Sequence, residues 1–121
     1  MEKFIYDYRV YYTPIEFVFA HIGGTWKMPI LICLRAAGRR YGELKEAIPN
    51  ISDKMLYTQL RELESKGFII RTAYREKPPR VEYRLTKKGE QALPVIDLLI
   101  EYGKELMNDV ALTPRDERKS E

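Results

Sequence analysis

The sequence predicts an α+β fold that is mainly helical, with one two-stranded hairpin in its second half. Two observations predict it. Helix-capping residues and apolar residues at helical spacing recur over 13–66, and a run rich in β-branched and aromatic residues follows over 68–85. A last stretch of helical spacing covers 87–110. With 121 residues, the chain is expected to fold around a single core.

The composition excludes several classes of protein. The apolar runs near 15–22 and 29–34 are much shorter than the roughly 20 residues of a bilayer span, and the first residues lack the pattern of a signal peptide. We therefore expect a cytoplasmic protein without a membrane partner. The single cysteine, Cys33, excludes an intramolecular disulfide framework and a Cys-rich zinc site, and we predict no metal and no other cofactor.

The first elements of this fold are an aromatic extension and a helix. Residues 1–12 are too rich in tyrosine and phenylalanine for a disordered tail, so we expect them to dock on another surface. Thr13 is expected to cap a helix that runs to about Ile22, because Pro14 suits its first position and Glu16 completes a capping box.

Two short helices follow. Thr25 is expected to cap the first of them, which has Pro29 near its first turn and runs to about Ala36. The second is expected over 42–48 and ends at Pro49.

A longer, amphipathic helix is predicted over 53–66. Ser52 is its expected N-cap, and Gly67 is a natural stop. On a helical wheel the leucines fall on one face and polar residues on the other. The inward residues are Leu56, Leu60 and Leu63, and the outward residues are Lys54, Tyr57, Thr58, Arg61 and Ser65.

The hairpin and a last helix complete the fold. Strands are predicted over 68–70 and 81–85, on either side of a tip at 76–79 that two prolines stiffen. Thr86 is expected to cap the last helix, which Pro94 should bend. Its apolar residues recur at helical intervals: Leu93, Ile96, Leu99, Ile100 and Leu106.

Three helices before a two-stranded hairpin are typical of a winged helix, the helix-turn-helix variant that places one helix in the major groove of DNA. The predicted organisation has four parts. They are an N-terminal aromatic extension over 1–12, a winged helix DNA-binding domain over 13–86, a C-terminal dimerisation helix over 87–110 and a disordered tail over 111–121.

The outward face of the helix over 53–66 suits DNA chemically. Arg61 can donate two hydrogen bonds to a guanine edge or hold a phosphate, Lys54 favours phosphate, and Tyr57 and Thr58 can meet base edges or backbone oxygens. For any one of these residues alone, an ordinary solvated helix face is the better explanation. The hairpin beside them favours DNA.

The hairpin is the most basic part of the chain. Residues 71–88 contain seven basic and two acidic residues, a net charge of +5, whereas the net charge of the whole chain is +3. Basic side chains around a stiff tip can reach phosphates or the adjacent minor groove, so Arg75, Lys77 and Arg80 are the predicted contacts of the wing, residues 75–80. A charged β-edge that resists aggregation is the alternative interpretation.

Five segments within residues 13–103 resemble the successive signatures of the HxlR-type winged-helix regulators, a group in the neighbourhood of the MarR-like repressors. Such an ordered series is far more specific than one motif. The segments are Ile22-Gly23-Gly24-Thr25-Trp26-Lys27, Arg40-Tyr41-Gly42-Glu43-Leu44-Lys45, Ile51-Ser52-Asp53-Lys54-Met55-Leu56, Leu60-Arg61-Glu62-Leu63-Glu64 and Pro78-Pro79-Arg80-Val81-Glu82-Tyr83-Arg84-Leu85-Thr86.

This resemblance implies a bacterial or archaeal homodimer that regulates transcription by binding a roughly palindromic operator in double-stranded DNA. It assigns Ser52 through Arg61 to the recognition helix, which adds Ser52 to the candidate DNA-binding residues, and it assigns 75–80 to the wing. It also implies that the N-terminal segment and the C-terminal helix form the dimer, where their apolar side chains would be buried. A small-molecule effector is left unspecified.

The sequence departs from the family at one position. Many members have a cysteine immediately before the proline that opens the first helix, and this chain has Thr13 there. A hydroxyl cannot form the thiolate that redox sensing requires, so no such role is carried over. Cys33 lies in an apolar run and is expected to be a buried small hydrophobe, and Trp26 and His21 are expected to be structural.

Two other functions compete with DNA binding. A winged helix can serve as a protein-interaction module that uses the same helix face, and steep salt dependence of duplex binding would distinguish DNA binding from it. A small enzyme that exploits the nine tyrosines would need a nucleophile, a base and an orienting group. One histidine and one cysteine do not supply them, so we predict no enzyme and no catalytic residue.

Overall fold

The computed structural model describes residues 1–112, in which five helices surround one core and two hairpins lie at its edges. The tail predicted over 111–121 falls almost entirely outside the described residues. The elements follow in chain order. They are β1 (Phe4–Tyr6), β2 (Arg9–Tyr11), α1 (Pro14–Ile22), α2 (Lys27–Cys33), α3 (Tyr41–Ala47), α4 (Asp53–Ser65), β3 (Ile69–Tyr74), β4 (Arg80–Leu85) and α5 (Lys87–Asp109).

This order confirms the predicted winged helix, and the core lies where the leucine pattern placed it. Leu56, Leu60 and Leu63 of α4 are at most 1% exposed. They pack with buried residues of α2, α3 and α5, including Leu31, Leu44 and Ile96. Because burying one large apolar side chain is worth about 1.5–3 kcal/mol, this layer fixes which face of α4 points outward.

Both ends of α4 follow the sequence. The Ser52 hydroxyl accepts a hydrogen bond from the Met55 amide at 3.0 Å, which satisfies one free N–H of the first turn. Gly67 adopts a left-handed φ of 83° directly after the helix, and the Phe68 amide returns to the Leu63 carbonyl at 2.9 Å. Helix α4 is therefore a well-defined helix of 13 residues.

The predicted bounds of α2 were wrong at both ends. Its N-cap is Trp26, with no side-chain cap, instead of Thr25, because the Trp26 carbonyl accepts the first helical bond from the Ile30 amide. The helix ends at Cys33 and not near Ala36, because the Arg35 amide turns back three residues to the Ile32 carbonyl.

At α1 the cap is confirmed, but the capping box is incomplete. The Thr13 hydroxyl accepts from the Glu16 amide at 3.1 Å, as predicted. The Glu16 carboxylate, however, accepts from the Tyr12 amide rather than from that of Thr13.

The aromatic extension forms a small hairpin that packs on α1. Its turn uses left-handed φ angles at Asp7 (50°) and Tyr8 (63°). The rings of Phe4 and Tyr11 stack at 5.3 Å, and both meet Phe17 of α1 edge to face, at 5.4 and 5.0 Å. One face of the extension is therefore docked within its own chain.

The second hairpin carries the wing. Strand β3 is longer than predicted, and its register with β4 runs from Ile69↔Leu85 to Tyr74↔Arg80. Arg39, between α2 and α3, adds a short third edge through two backbone bonds with Tyr83, at 2.9 and 2.8 Å. The hairpin is thereby fastened to the helical core.

Helix α5 runs without a break from Lys87 to Asp109, through Pro94. Among residues 1–112, none of the helices is both long and apolar enough to cross a membrane. The same residues contain no group of three or more His, Cys, Asp or Glu side chains arranged to hold a metal ion.

Candidate nucleic-acid interface

The polar face of α4 is open to solvent. Lys54, Tyr57, Thr58 and Arg61 are all exposed, and Ser52 is exposed at the start of the helix. The structure thus brings the five predicted residues of this segment together on one accessible surface, opposite the buried leucines.

Contacts from α2 and α3 fix the position of α4. The Tyr41 hydroxyl, at the start of α3, donates to Asp53 at 2.9 Å (Oδ1) and 3.1 Å (backbone O). Burial, followed by the hydrogen bond to Asp53, raises the pKa of Tyr41, so its hydroxyl keeps the proton that it donates. On the other side, Lys27 of α2 reaches Gln59 at 2.7 Å and Glu62 at 2.5 Å.

The side chains of the exposed face are partly ordered by one another. The Arg61 guanidinium donates to the Tyr57 hydroxyl at 3.1 Å, and its central carbon lies 5.6 Å from the centre of that ring. The hydrogen bond to Tyr57 raises the pKa of Arg61, so the side chain stays cationic. The Thr58 hydroxyl donates to the Lys54 carbonyl at 2.8 Å, which leaves its oxygen free to accept.

The three predicted wing residues occupy different environments. Arg75 and Lys77 are exposed at the tip. Arg80 is half-buried, with its guanidinium 4.2 Å from the centre of the Tyr74 ring and its nitrogens 3.2 Å from Glu76 and 3.4 Å from Glu82. Arg80 therefore links residues of β3, the tip and β4 to one another, whereas Arg75 and Lys77 point to solvent.

Sequence reasoning missed the carboxylate beneath the wing. Glu82 is buried, and its second oxygen lies 2.6 Å from a nitrogen of Arg84. A hydrogen bond with Tyr74, followed by the charge of Glu82, raises the pKa of Arg84. The alternation of acidic and basic residues along β4 was the available signal, because side chains two apart share a face of a strand.

Cys33, His21 and Trp26 lie in surroundings that suit a structural role. Cys33 is half-buried and unpaired, and burial raises the pKa of its thiol, which disfavours a reactive thiolate. His21 lies 2.8 Å from the Phe17 carbonyl through Nδ1, and Trp26 packs against the core.

Within residues 1–112, many apolar side chains of α1 and α5 are left exposed. On α1 they include Ile15, Val18 and Phe19. On the outer half of α5 the exposed apolar residues are Leu98, Leu99, Ile100, Tyr102 and Leu106. Single exposed apolar residues are ordinary, but several of them along one helix favour an interaction surface.

Comparisons with known proteins agree with this geometry. The family model described as HxlR-like helix-turn-helix matches residues 21–111. An uncharacterized HTH-type transcriptional regulator of Methanothermobacter thermautotrophicus is 46% identical over 94 residues, which are 78% of this chain and 72% of that protein. The regulator YtcD of Bacillus subtilis is 42% identical over 102 residues, 84% of this chain and 81% of its own length.

Solved structures are similar as well. The redox regulator HypR in its reduced form superposes with a TM-score of 0.74 and 37% identity, over 82% of this chain and 97% of that chain. The reduced form of the transcriptional regulator YodB from B. subtilis gives a TM-score of 0.70 and 32% identity, over 78% of this chain and 94% of that chain.

Proposed function

This chain belongs to the HxlR-like helix-turn-helix family, and on that basis we propose how its surface recognises DNA. The family is one of DNA-binding transcriptional regulators and not of enzymes. Our proposal is that two copies bind a roughly palindromic operator. Each copy would place α4 in the major groove and set its wing on phosphates or in the adjacent minor groove.

The observation that carries this proposal is the exposed polar face of α4 beside a basic hairpin. The buried leucines prevent α4 from rotating that face inward, so Lys54, Tyr57, Thr58 and Arg61 stay available. Ser52 sits where the first turn of the helix would approach a phosphate. A recognition helix needs this combination of a rigid inner face and a polar outer face.

The wing supports the same function. Arg75 and Lys77 supply cations at the tip, where phosphate neutralisation strengthens binding to any duplex. Arg80 belongs to the wing through its contacts with Tyr74, Glu76 and Glu82, which hold the tip in one shape. A tip that is already ordered loses little entropy when it binds.

The exposed apolar side chains of α1 and α5 support dimerisation. We propose that residues 1–12 and 87–110 form the contact with the second copy and that 13–86 is the DNA-binding unit. A two-fold axis would present two copies of α4 to two half-sites, which explains why the operator should be palindromic.

A binding experiment tests the proposed function. Duplexes are selected from random sequence by the full chain, and affinity is then measured against salt for the selected duplex and an unrelated one. We expect tight, steeply salt-dependent binding of the selected duplex. Lys54→Gln should weaken it, because it removes a cation from the exposed face of α4. The protein-interaction alternative is favoured if the wild type binds neither duplex at low salt.

A further inference from the structure

A cleft of about 470 Å³ lies between the outward face of α4 and the β3–β4 hairpin. The two strand residues that line it, Arg71 and Tyr83, pair with each other near the Ile69↔Leu85 end of the hairpin. The cleft therefore lies at the base of the hairpin, away from the wing tip. The lining is mainly polar. It consists of Tyr57, Arg61, Glu64, Ser65, Arg71 and Tyr83.

Two arginines from different elements line this cleft. Arg61 comes from α4, and only one of its nitrogens bonds to Tyr57, so other N–H donors of its guanidinium stay available. Arg71 comes from β3 and is exposed. Within residues 1–112, Arg71 has no ion pair, in contrast to Arg80 and Arg84, which both pair with Glu82.

The charges that line the cleft favour binding of an anion. Two guanidinium groups repel each other unless a negative group lies between them. Glu64 is the only carboxylate among the lining residues, and its charge acts on Arg61, whose pKa it helps to raise. The remaining charge is one net positive, with the donor groups of Arg61, Arg71 and Ser65 around a concave space.

The shape of the cleft favours a phosphate over a base edge. A base edge is planar and is reached by side chains that project into a groove, as we propose for those near the start of α4. A phosphodiester is tetrahedral, and its two free oxygens accept hydrogen bonds from donors on different sides. The cleft has donors on a helix and on a strand, so they can approach a phosphate from different sides.

We propose that this cleft holds one backbone phosphate of the DNA, clamped by Arg61 from α4 and Arg71 from β3. Arg61 is then a phosphate contact, and Arg71 joins the DNA-binding residues. This assignment rests on the proposed DNA-binding function and specifies which group of the DNA, a backbone phosphate, occupies the cleft. Glu64 opposes the clamp and limits its strength.

Salt-dependent binding of the full chain to a selected and an unrelated duplex tests the clamp. Arg61→Gln and Arg71→Gln should each weaken both duplexes by the same factor, roughly tenfold at 0.1 M salt, and reduce the slope of log K against log salt by about 0.9. Glu64→Gln should strengthen both severalfold. A loss confined to the selected duplex, or unchanged binding by Arg71→Gln, would overturn the clamp.

Neutral phosphate analogues locate the contact. Methylphosphonates are placed one at a time along the selected duplex, and each duplex is bound by the wild type and by Arg71→Gln. At one phosphate of each half-site, neutralisation should weaken the wild type more than the Arg71→Gln variant, which keeps only the Arg61 contact. If phosphate neutralisation weakens the wild type and the Arg71→Gln variant by the same factor at every position, Arg71 contacts none of these phosphates and the clamp is refuted. A wild type that binds no duplex at low salt would instead refute the DNA-binding function itself.

Discussion

At the scale of single residues, Gly89 has little freedom to change. A Cβ at this position would lie 2.2 Å from the Phe68 carbonyl oxygen and 3.1 Å from Leu85. Because the nearest atom is backbone, the strand or the helix must shift. We expect Gly89→Ala to lower the free energy of unfolding by about 2 kcal/mol, measured by urea denaturation.

Gly42 provides the matched control for Gly89. It lies in α3, and a Cβ there meets nothing within 4 Å. Gly42→Ala should leave stability unchanged or raise it by up to about 1 kcal/mol, because alanine loses less backbone entropy in a helix. Equal effects of the two substitutions would contradict the close approach of Gly89 to Phe68.

Tyr57 is expected to act on DNA through its neighbour. Tyr57→Phe removes the hydroxyl that accepts from Arg61 at 3.1 Å but keeps the ring, so the fold should be unaffected. We expect two- to tenfold weaker duplex binding, since one such hydrogen bond is worth about 0.5–1.5 kcal/mol. Wild-type affinity of Tyr57→Phe would show that the pair does not matter.

Residue roles were predictable where the cause is local. Ser52 and Thr13 were recognised as caps because a cap depends on its own turn. The ion pairs of Arg80 and the confinement of Gly89 were not recognised, because each depends on a partner whose position only the folded hairpin defines.

At the scale of elements, the cap at the start of α4 should control how stably this helix forms. Ser52→Ala removes the acceptor of the Met55 amide and should lower the free energy of unfolding by about 1 kcal/mol. Ser52→Asp, which keeps an acceptor, should retain the stability. Thermal and urea unfolding measure both, and equal stability of Ser52→Ala and the wild type would exclude a role for this cap.

The elements differ in how far sequence defines them. Helix α4 has a capping residue, a stripe of leucines and a terminating glycine. Its predicted range therefore differs from the observed one by only one residue, at the C-terminal end. Helix α2 has no capping side chain, and its bounds depend on packing. The strands β1 and β2 escaped detection because they have three residues each, and their turn places left-handed angles on Asp7 and Tyr8 instead of glycine.

At the scale of the whole molecule, the apolar surface of α5 should determine the assembly. Leu98 is 72% exposed, and a glutamate there would bury a charge in the proposed dimer contact. We expect Leu98→Glu to convert a dimer into a 14.3 kDa monomer, as measured by sedimentation velocity. Ile70→Glu, at a 52% exposed apolar residue of β3, should remain dimeric. A wild type that is monomeric at micromolar concentration would contradict the proposed dimer.

The arrangement of elements followed from their order, because the three helices directly before the hairpin, α2 to α4, and the hairpin itself pack in few ways around one core. The cleft did not follow. Arg71 was counted in the basic charge of the hairpin, but its position opposite Arg61 depends on the angle between β3 and α4. That angle is set by tertiary packing, which no pattern along the chain encodes directly.

Thr86 joins three elements at one point. Its hydroxyl donates to the Gly67 carbonyl at 2.6 Å and accepts from the Gly89 amide at 3.2 Å, while its own amide reaches the Phe68 carbonyl at 3.1 Å. The end of α4, the root of β3 and the first turn of α5 therefore share a rigid joint. In the proposed two-fold dimer, a tilt of one α5 against the other would be passed through this joint to the attached α4, so the joint would couple the dimer contact to the distance between the two DNA-reading helices.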